Sequence, residues 1–528
     1  MKKSIKKVLF VIPSYSDNVI DNYTNSVVLP YGVLSLVSYL EYHCPELEFR
    51  VIDFNIKSND QNFFEILDTE MVNFKPDMVG FSIMYNACKK YIAPFAESVK
   101  KIDPEVILIA GGIMATNMPK EVFEETNLID AICHGEGELP LRDLITSQNI
   151  YQTLKHHASF AMSVDLAEGK KPHATFIENL DEIPLLNYSY IDITKYSSRI
   201  SSKDGQDKLT LPIHSTRGCP FSCIFCCSAA NHGRKIRYMT SKRFLNDAKQ
   251  MIEKYKITKL SIDDDQFLFN SKRTKEILTG LADLHIELEM ANGLSVKFID
   301  DEIAELLKKA GLKIAVLAIE SGSQNVLSKI INKPLNIEQI APAVNALKRH
   351  GLSVHTFFII GFPGETEEDR ELTRNLILDI GFDWNGIFIA TPYKGSRLYE
   401  ECIENGYLTE KNISDATIYK CEITAPGIDP FHITREAYLL NLDVNFVNNY
   451  NFKRCAYEKA ASYFKGVAEK YPSHAFAHYF LAKTLEYIPE STKEIIELHY
   501  KKYKEIKDTN KEWYEYAKHF NLIEKLGE

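Results

Sequence analysis

A chain of 528 residues is too long for one ordinary hydrophobic core, and its length predicts about three domains. Hydrophobic residues at 45% and charged residues at 25% describe an ordinary globular protein. The formal net charge of −10 argues against a general nucleic-acid binder, and no apolar run approaches the length of a membrane span. The apolar run at 8–12 has no small-residue cleavage site after it, so it reads as a first strand rather than an export signal. Ten cysteines in such a chain point to a reducing compartment, and a cytoplasmic location is expected.

Residues 7–12, 49–53, 77–84, 106–112 and 131–133 read as strands, with helical stretches over 30–40, 91–101 and 119–125. Strands of nearly continuous apolar character alternating with helices predict an α/β unit, a doubly wound parallel sheet, over residues 1–150. Ligands bind such sheets at the carboxyl ends of the strands. Gly111-Gly112 and Gly135-Glu136-Gly137-Glu138 both follow strands, where bare backbone approaches a ligand closely. Cys44, Cys88 and Cys133 are scattered and read as small buried hydrophobes. The polar connector at 151–208 is expected to form short strands over 158–164 and 174–178 and an exposed loop over 201–208; it carries no visible chemistry.

Six strand–helix alternations follow between 209 and 400. The strands are expected over 211–215, 259–263, 287–293, 313–319, 353–360 and 386–391, and the helices over 241–255, 271–284, 300–310, 337–350 and 367–380. Gly311 and Gly351 are helix stops. Six repeats predict a partial (β/α)6 barrel with its functional residues at the carboxyl ends of the strands. That rule selects Asp263-Asp264-Asp265 after the second strand, three carboxylates that repel unless a cation or donors are present. It selects Glu320-Ser321-Gly322-Ser323 after the fourth, where Ser323 also suits a helix cap. After the fifth, Gly361-Phe362-Pro363-Gly364 shapes a turn into Thr366 and an acidic helix start. After the sixth comes Thr391-Pro392-Tyr393, with Tyr393 expected to pack as a buried aromatic. The basic run Arg234 to Arg237 reads as solvated surface. The tail, 401–528, is helical; 457–472 with 475–485 resembles one tetratricopeptide pair, fewer than the roughly three repeats of a stable array, so a helical cap on the barrel is expected.

The centre of the chain is Cys219-Pro-Phe-Ser-Cys223-Ile-Phe-Cys226, a Cys-x3-Cys-x2-Cys spacing just after a strand-like run. Thiolates are soft ligands suited to iron–sulfur iron, and such clusters usually take four. Three can hold three irons of a 4Fe–4S cluster and leave the fourth open. A zinc knuckle uses the same residue type, but the second Cys-x2-4-Cys pair it favours is lacking. Cys227 directly follows Cys226 and reads as a bystander.

With aromatic Phe225 before the third cysteine, this stretch resembles the signature of the radical S-adenosylmethionine (radical SAM) enzymes. The resemblance implies that the open iron chelates the amino and carboxylate groups of SAM, and that an electron from the cluster cleaves SAM to a 5′-deoxyadenosyl radical. In the first 145 residues the order Pro-x-Gly-Val-Leu, Gly-Phe-Ser-Ile, Gly-Gly-x-x-Ala-Thr, Gly-Glu-Gly-Glu is similar to the cobalamin-binding domain found before many such barrels. Two features depart from it: no Asp-x-His-x-x-Gly motif is present, and Met114 stands where relatives often show histidine. The implication is cobalamin with no histidine below the cobalt, or a degenerate domain that kept only the fold.

The combined resemblance is to class B methyltransferase-like radical SAM enzymes. It implies that Cys219, Cys223 and Cys226 hold the cluster, that Phe225, Asp264, Glu320, Ser321 and Gly361 meet SAM, and that Ser82, Gly111, Gly112, Met114, Gly135 and Glu136 meet cobalamin. It further implies methylation of an unactivated carbon or a phosphinate on a small-molecule or peptide substrate, with a flavodoxin- or ferredoxin-type electron donor. Two rivals stand beside it: radical rearrangement, cyclisation or oxidation without methyl transfer, and a non-enzymatic iron–sulfur protein whose tail binds a partner.

Overall fold

The first sheet is built from short segments that are almost wholly apolar, as burial on both faces requires, except for the edge strand 48–53 with its Glu48, Arg50 and Asp53. In this computed structural model, which describes residues 4–15, 28–56, 62–84, 86–196, 209–408 and 418–523, they are β1 (Lys7–Ile12), β2 (Glu48–Asp53), β3 (Met78–Ser82), β4 (Ile107–Gly111), β5 (Ala131–Cys133) and β6 (Phe160–Ala161). Their order is β2-β1-β3-β4-β5-β6, parallel except for β6. The order 2-1-3-4-5 is the flavodoxin-type winding, whose direction reverses between β1 and β3. Several helices of this domain escaped the sequence pattern; the longest, Phe63–Phe74, capped by Asn62, buries Leu67, Met71 and Phe74 between β2 and β3 in the chain. The connector also differs from expectation. Only Phe160–Ala161 pairs, as an antiparallel edge of the first sheet, and 174–178 forms no strand. That segment instead lies over the seam with the next domain, where the Phe176 ring stacks 4.4 Å from the Arg237 guanidinium. The expected loop at 201–208 lies outside the described residues.

The second unit begins with β7 (Thr210–Ile213). A two-residue antiparallel ribbon, β8 (Thr216–Arg217) with β9 (Arg237–Tyr238), then frames the cysteine loop. The remaining strands are β10 (Lys259–Ile262), β11 (Glu287–Glu289), β12 (Ile314–Glu320), β13 (Ser353–Ile360) and β14 (Trp384–Ile389). They form two parallel three-stranded sheets, β11-β10-β7 and β12-β13-β14. Parallel bridges at Leu288–Leu312 and Leu294–Leu317 join the halves. Among the described residues no ladder joins β7 to β14, so the barrel is partial, as expected from six repeats. β13 alternates strictly: Val354, Thr356, Phe358 and Ile360 are buried, while His355, Phe357 and Ile359 on the opposite, lumenal face are only half-buried. Period-two alternation in a strand is what separates a lumenal from a helix-facing side chain.

A helix beyond the expected end of the barrel, Pro430–Leu442, packs along β14. Among the described residues the tail also holds the short helix Tyr450–Lys453 and the longer helices Tyr457–Lys470, Ala475–Leu485, Lys493–Thr509 and Lys511–His519. No helix among the described residues is long and apolar enough to cross a membrane.

Candidate active site

The cysteine loop leaves β8 at Gly218 and returns at β9. Gly218 has φ +93°, and a Cβ there would lie 2.4 Å from the Lys235 carbonyl oxygen, so only glycine lets the two arms of the loop cross. The loop is pinned to the far half-barrel: the Ile224 amide donates to the Ile331 carbonyl at 3.1 Å, and its carbonyl accepts from the Leu398 amide at 2.8 Å. Cys219, Cys223 and Cys226 all open onto one cleft of about 370 Å³. Burial pushes all three thiols up, Cys223 to about 11, so they bind metal by releasing protons. Gln266 Nε2 donates to Cys219 Sγ at 3.6 Å, while Ser295 Oγ donates to Gln266 Oε1 at 3.1 Å and so orients the amide; the Ser228 amide donates to Cys226 Sγ at 3.4 Å. Hydrogen bonds to ligand sulfur tune a cluster's potential. Soft sulfurs in one cleft, two with donors aimed at them, fit an iron–sulfur cluster. Cys227 does not line the cleft; its thiol turns to the Lys394 carbonyl at 3.7 Å.

Glu320 ends β12 at a register shift and has φ +73°, an unusual conformation for a non-glycine residue. That turn aims its carboxylate into the cleft, 3.2 Å from Lys333 Nζ. Burial works most strongly against the Lys333 ammonium, but Glu320 together with Cys223 and Cys226 holds the group above its ordinary value. Phe225 also lines the cleft and meets the Phe362 ring at 5.9 Å.

Three residues expected to meet SAM are placed elsewhere. Asp264 is buried in the barrel wall: Oδ1 accepts from the Ser215 and Thr216 amides at 2.5 and 3.0 Å, and Oδ2 from the Ser215 hydroxyl. Both oxygens are used on β7's continuation, and it is Asp265 that faces the cleft. The Ser321 hydroxyl lies 3.2 Å from Thr373 Oγ1 on the helix Glu367–Ile380, and Gly361 sits beneath Ile433, where a Cβ would clash at 2.7 Å. Ser323 accepts from the Val326 amide at 3.3 Å, the capping bond expected of it. Tyr393, expected to be buried, is 45% exposed. Gln266, Lys333 and Asn292 line the cleft without having been singled out by sequence; Gln266 adjoins the aspartate run, which was the one available signal.

At the first sheet, Ser82 and Gly111 stand side by side in register at the carboxyl edge of β3 and β4, half-buried, with Gly112 turning the chain behind them. A hydroxyl and side-chain-free backbone at this edge fit a ligand in the crevice of such a sheet. Met114 does not join them: it is 3% exposed, packed with Ile83, Ala115 and Ile132 in the core of the sheet's outer face. Gly135 and Glu136 face the barrel instead. A Cβ on Gly135 would lie 2.4 Å from Ala174, and Glu136 is buried among cations. Arg237 grips Glu136 with two bonds of 2.8 and 2.6 Å, Arg217 reaches it at 3.2 Å, and His232 Nδ1 lies at 2.8 Å. Burial alone would raise this carboxyl; Arg217, Arg237 and His232 reverse that and hold it well below the carboxylate range. Arg237, expected on the solvated surface, is therefore a buried ion-pair residue.

Residues 213–377 match the Radical SAM superfamily, and residues 22–145 match the B12 binding domain. The chain is 29% identical over 415 residues to an uncharacterized methyltransferase of Pyrococcus horikoshii, covering 77% of this chain and 85% of the relative. It is 26% identical over 414 residues to the cytidylyl-2-hydroxyethylphosphonate methyltransferase of Streptomyces wedmorensis, covering 71% and 76%. It is also 26% identical over 360 residues to an anaerobic magnesium-protoporphyrin IX monomethyl ester cyclase of Rubrivivax gelatinosus, covering 66% and 62%. In fold it is similar to the radical S-adenosylmethionine methyltransferase TsrM of Kitasatospora setae with cobalamin and [4Fe-4S] cluster bound (TM-score 0.61, 14% identity, covering 96% of this chain and 100% of that one). It is likewise similar to the cobalamin-dependent radical enzyme OxsB (TM-score 0.60, 16% identity, covering 98% and 80%). With both domains matched in sequence and the cysteines gathered at one cleft, the chain carries a radical SAM domain behind a B12-binding domain.

Proposed function

We propose that this enzyme transfers a methyl group to an unactivated carbon or a phosphinate of a small-molecule or peptide substrate. The observation that carries the reading is the union of a three-cysteine cleft with a B12-binding domain in one chain similar to named methyltransferases. When bound, the cluster supplies the electron that cleaves SAM to methionine and a 5′-deoxyadenosyl radical, and cobalamin supplies the methyl group. The protein's own residues bind and orient. Glu320 and Asp265 offer carboxylates to the amino group of SAM, and Lys333 offers an ammonium to its carboxylate, all from the lining of the cleft. Phe225 and Leu335 supply apolar wall. Ser82, Gly111 and Gly112 are the residues we assign to cobalamin.

Below the cleft the lumen has two characters. Asp263 and Glu289 stand on the β10–β11 side, and Phe357, Ile359 and Phe388 on the β13–β14 side. That division suits a substrate with an apolar face and a hydrogen-bonding edge. The cysteine loop exposes Pro220, Ser222 and Cys226 at the surface, which suits electron entry from a flavodoxin- or ferredoxin-type protein in the cytoplasm. In this reading residues 1–150 serve cobalamin, 151–208 connect, 209–400 serve the cluster and SAM, and 401–528 brace the barrel.

The test is anaerobic incubation of the reconstituted protein with SAM and dithionite, followed by chromatography. Both 5′-deoxyadenosine and S-adenosylhomocysteine are expected. 5′-Deoxyadenosine alone would move the protein to radical cyclisation, rearrangement or oxidation, the second reading, which similarity to the Rubrivivax gelatinosus cyclase favours. Neither product would leave a non-enzymatic iron–sulfur protein.

A further inference from the structure

The ribbon that closes the cysteine loop places two arginines directly opposite each other: Arg217 on β8 pairs with Arg237 on β9. Both are buried, at 7% and 3% exposure. Like charges across a ribbon are destabilising, and more so in a dry site. The carboxylates that pair with them come from the other domain. Glu136 binds both arginines, and Glu138 binds Arg217 at 2.9 Å while accepting from Ser35 Oγ at 2.6 Å. Arg237's remaining hydrogen-bond partners are the Ile177 and His232 carbonyls, each at 3.0 Å. Glu136 also takes His232, inside the loop, so one carboxylate touches the loop at its start, its middle and its return. The same turn reaches back to the carboxyl edge of the first sheet: the Gly135 amide donates to Thr116 Oγ1 at 3.1 Å, and Thr116 lies in the short helix that follows Gly111-Gly112.

We infer that Glu136 and Glu138 are positioning residues, the counter-charge that keeps the cysteine loop closed, and that retention of the cluster is thereby linked to occupancy of the cobalamin edge. Removing one partner of a buried ion pair leaves an uncompensated charge, whereas replacing the pair by apolar groups costs far less. Whatever fixes the turns after β4 and β5 stabilises the loop, and by reciprocity a filled loop favours the cobalamin-bound arrangement.

The experiment uses the full chain, reconstituted anaerobically with iron and sulfide, with and without hydroxocobalamin. The rate of iron loss to a chelator, the electron paramagnetic resonance signal of the reduced cluster, and cobalamin affinity by absorbance are measured. Glu136→Gln is expected to speed iron loss at least about tenfold, Glu138→Gln less, and the paired change Glu136→Leu with Arg237→Met to recover most of the loss. Hydroxocobalamin is expected to slow iron loss in the wild type and not in Glu136→Gln. If Glu136→Gln folds and keeps iron at the wild-type rate, or if the paired change is worse than the single one, the latch is overturned. If the wild type binds cobalamin but its iron loss is unchanged, the linkage is overturned. If it binds none, the cobalamin reading fails, while the iron comparison among the variants still decides the latch.

Discussion

At the seam between the first sheet and the barrel, one apolar core runs without a break from Val8, Phe10 and Leu34 through Tyr188 to Ile213 and the barrel strands. At the seam between the barrel and the tail, the tail keeps a separate core of Phe446, Phe464, Phe476 and Phe480. The polar contacts differ in the same way. The first seam spends its buried charges on the cysteine loop. The second meets the amino ends of β13 and β14: Trp384 stacks on Tyr463 with ring centroids 5.4 Å apart, Lys459 pairs with Asp383 at 2.7 Å, and Asn445 exchanges hydrogen bonds with Asn385. Among the described residues, none of the tail lines the cleft. The contrast teaches that the first seam is part of the chemistry, while the second supports the scaffold.

The comparison can be broken or sharpened by substitution. The largest effect is expected at the cleft itself. Alanine at Cys219, Cys223 or Cys226 should reduce bound iron to background and abolish 5′-deoxyadenosine, whereas Cys227→Ala should leave both intact; iron and sulfide assays check this. Next, Glu320→Gln should leave Lys333 without its partner and lower kcat/KM for SAM by roughly a hundredfold, the scale of breaking a buried pair, measured as 5′-deoxyadenosine formation at full cluster loading. At the tail seam Phe446→Ala should cost roughly 3–5 kcal/mol in urea unfolding and Asn445→Ala about 1–3 kcal/mol, with iron per folded chain unchanged. Loss of iron in these two variants at native pH would erase the contrast between the seams.

The remaining effect is a pH dependence. Glu365, in the turn after β13, accepts from the Gly361 amide at 2.5 Å, and burial pushes its carboxyl up to about 8. Between its ordinary value of 4.5 and about 8 the folded protein keeps a proton that the unfolded chain has lost. Stability from this group therefore falls as pH rises through that window, by up to ~1.4 kcal/mol per unit, and levels off above it. Glu365→Gln should flatten that slope in Tm measured from pH 5 to 8.

Much of the scaffold was legible in the sequence because its signals are local. Helices Ser241–Tyr255 and Glu367–Ile380 and strands Lys7–Ile12 and Ser353–Ile360 stand where periodicity and caps put them. The strand expected at 174–178 fails because its partner is an arginine face rather than a sheet edge. β11 is shorter than expected, since the chain after Glu289 turns into the cleft and returns only through the Leu294 bridge.

What the sequence by itself determined is the inventory: three cysteines at a spacing that one loop can gather, six barrel strands, and carboxylates at strand ends. The tertiary structure decided which of those carboxylates does what. Asp264 and Asp265 are neighbours, yet one is bound by Ser215, 49 residues away, and the other opens on the cleft. Glu136 follows a sheet strand as a cofactor contact would, but its partner Arg237 lies 101 residues on, across a domain seam. A backbone pattern repeats over a few residues and is readable locally. The direction of a buried charge is set by the nearest opposite charge in space, and the fold alone brings that charge near.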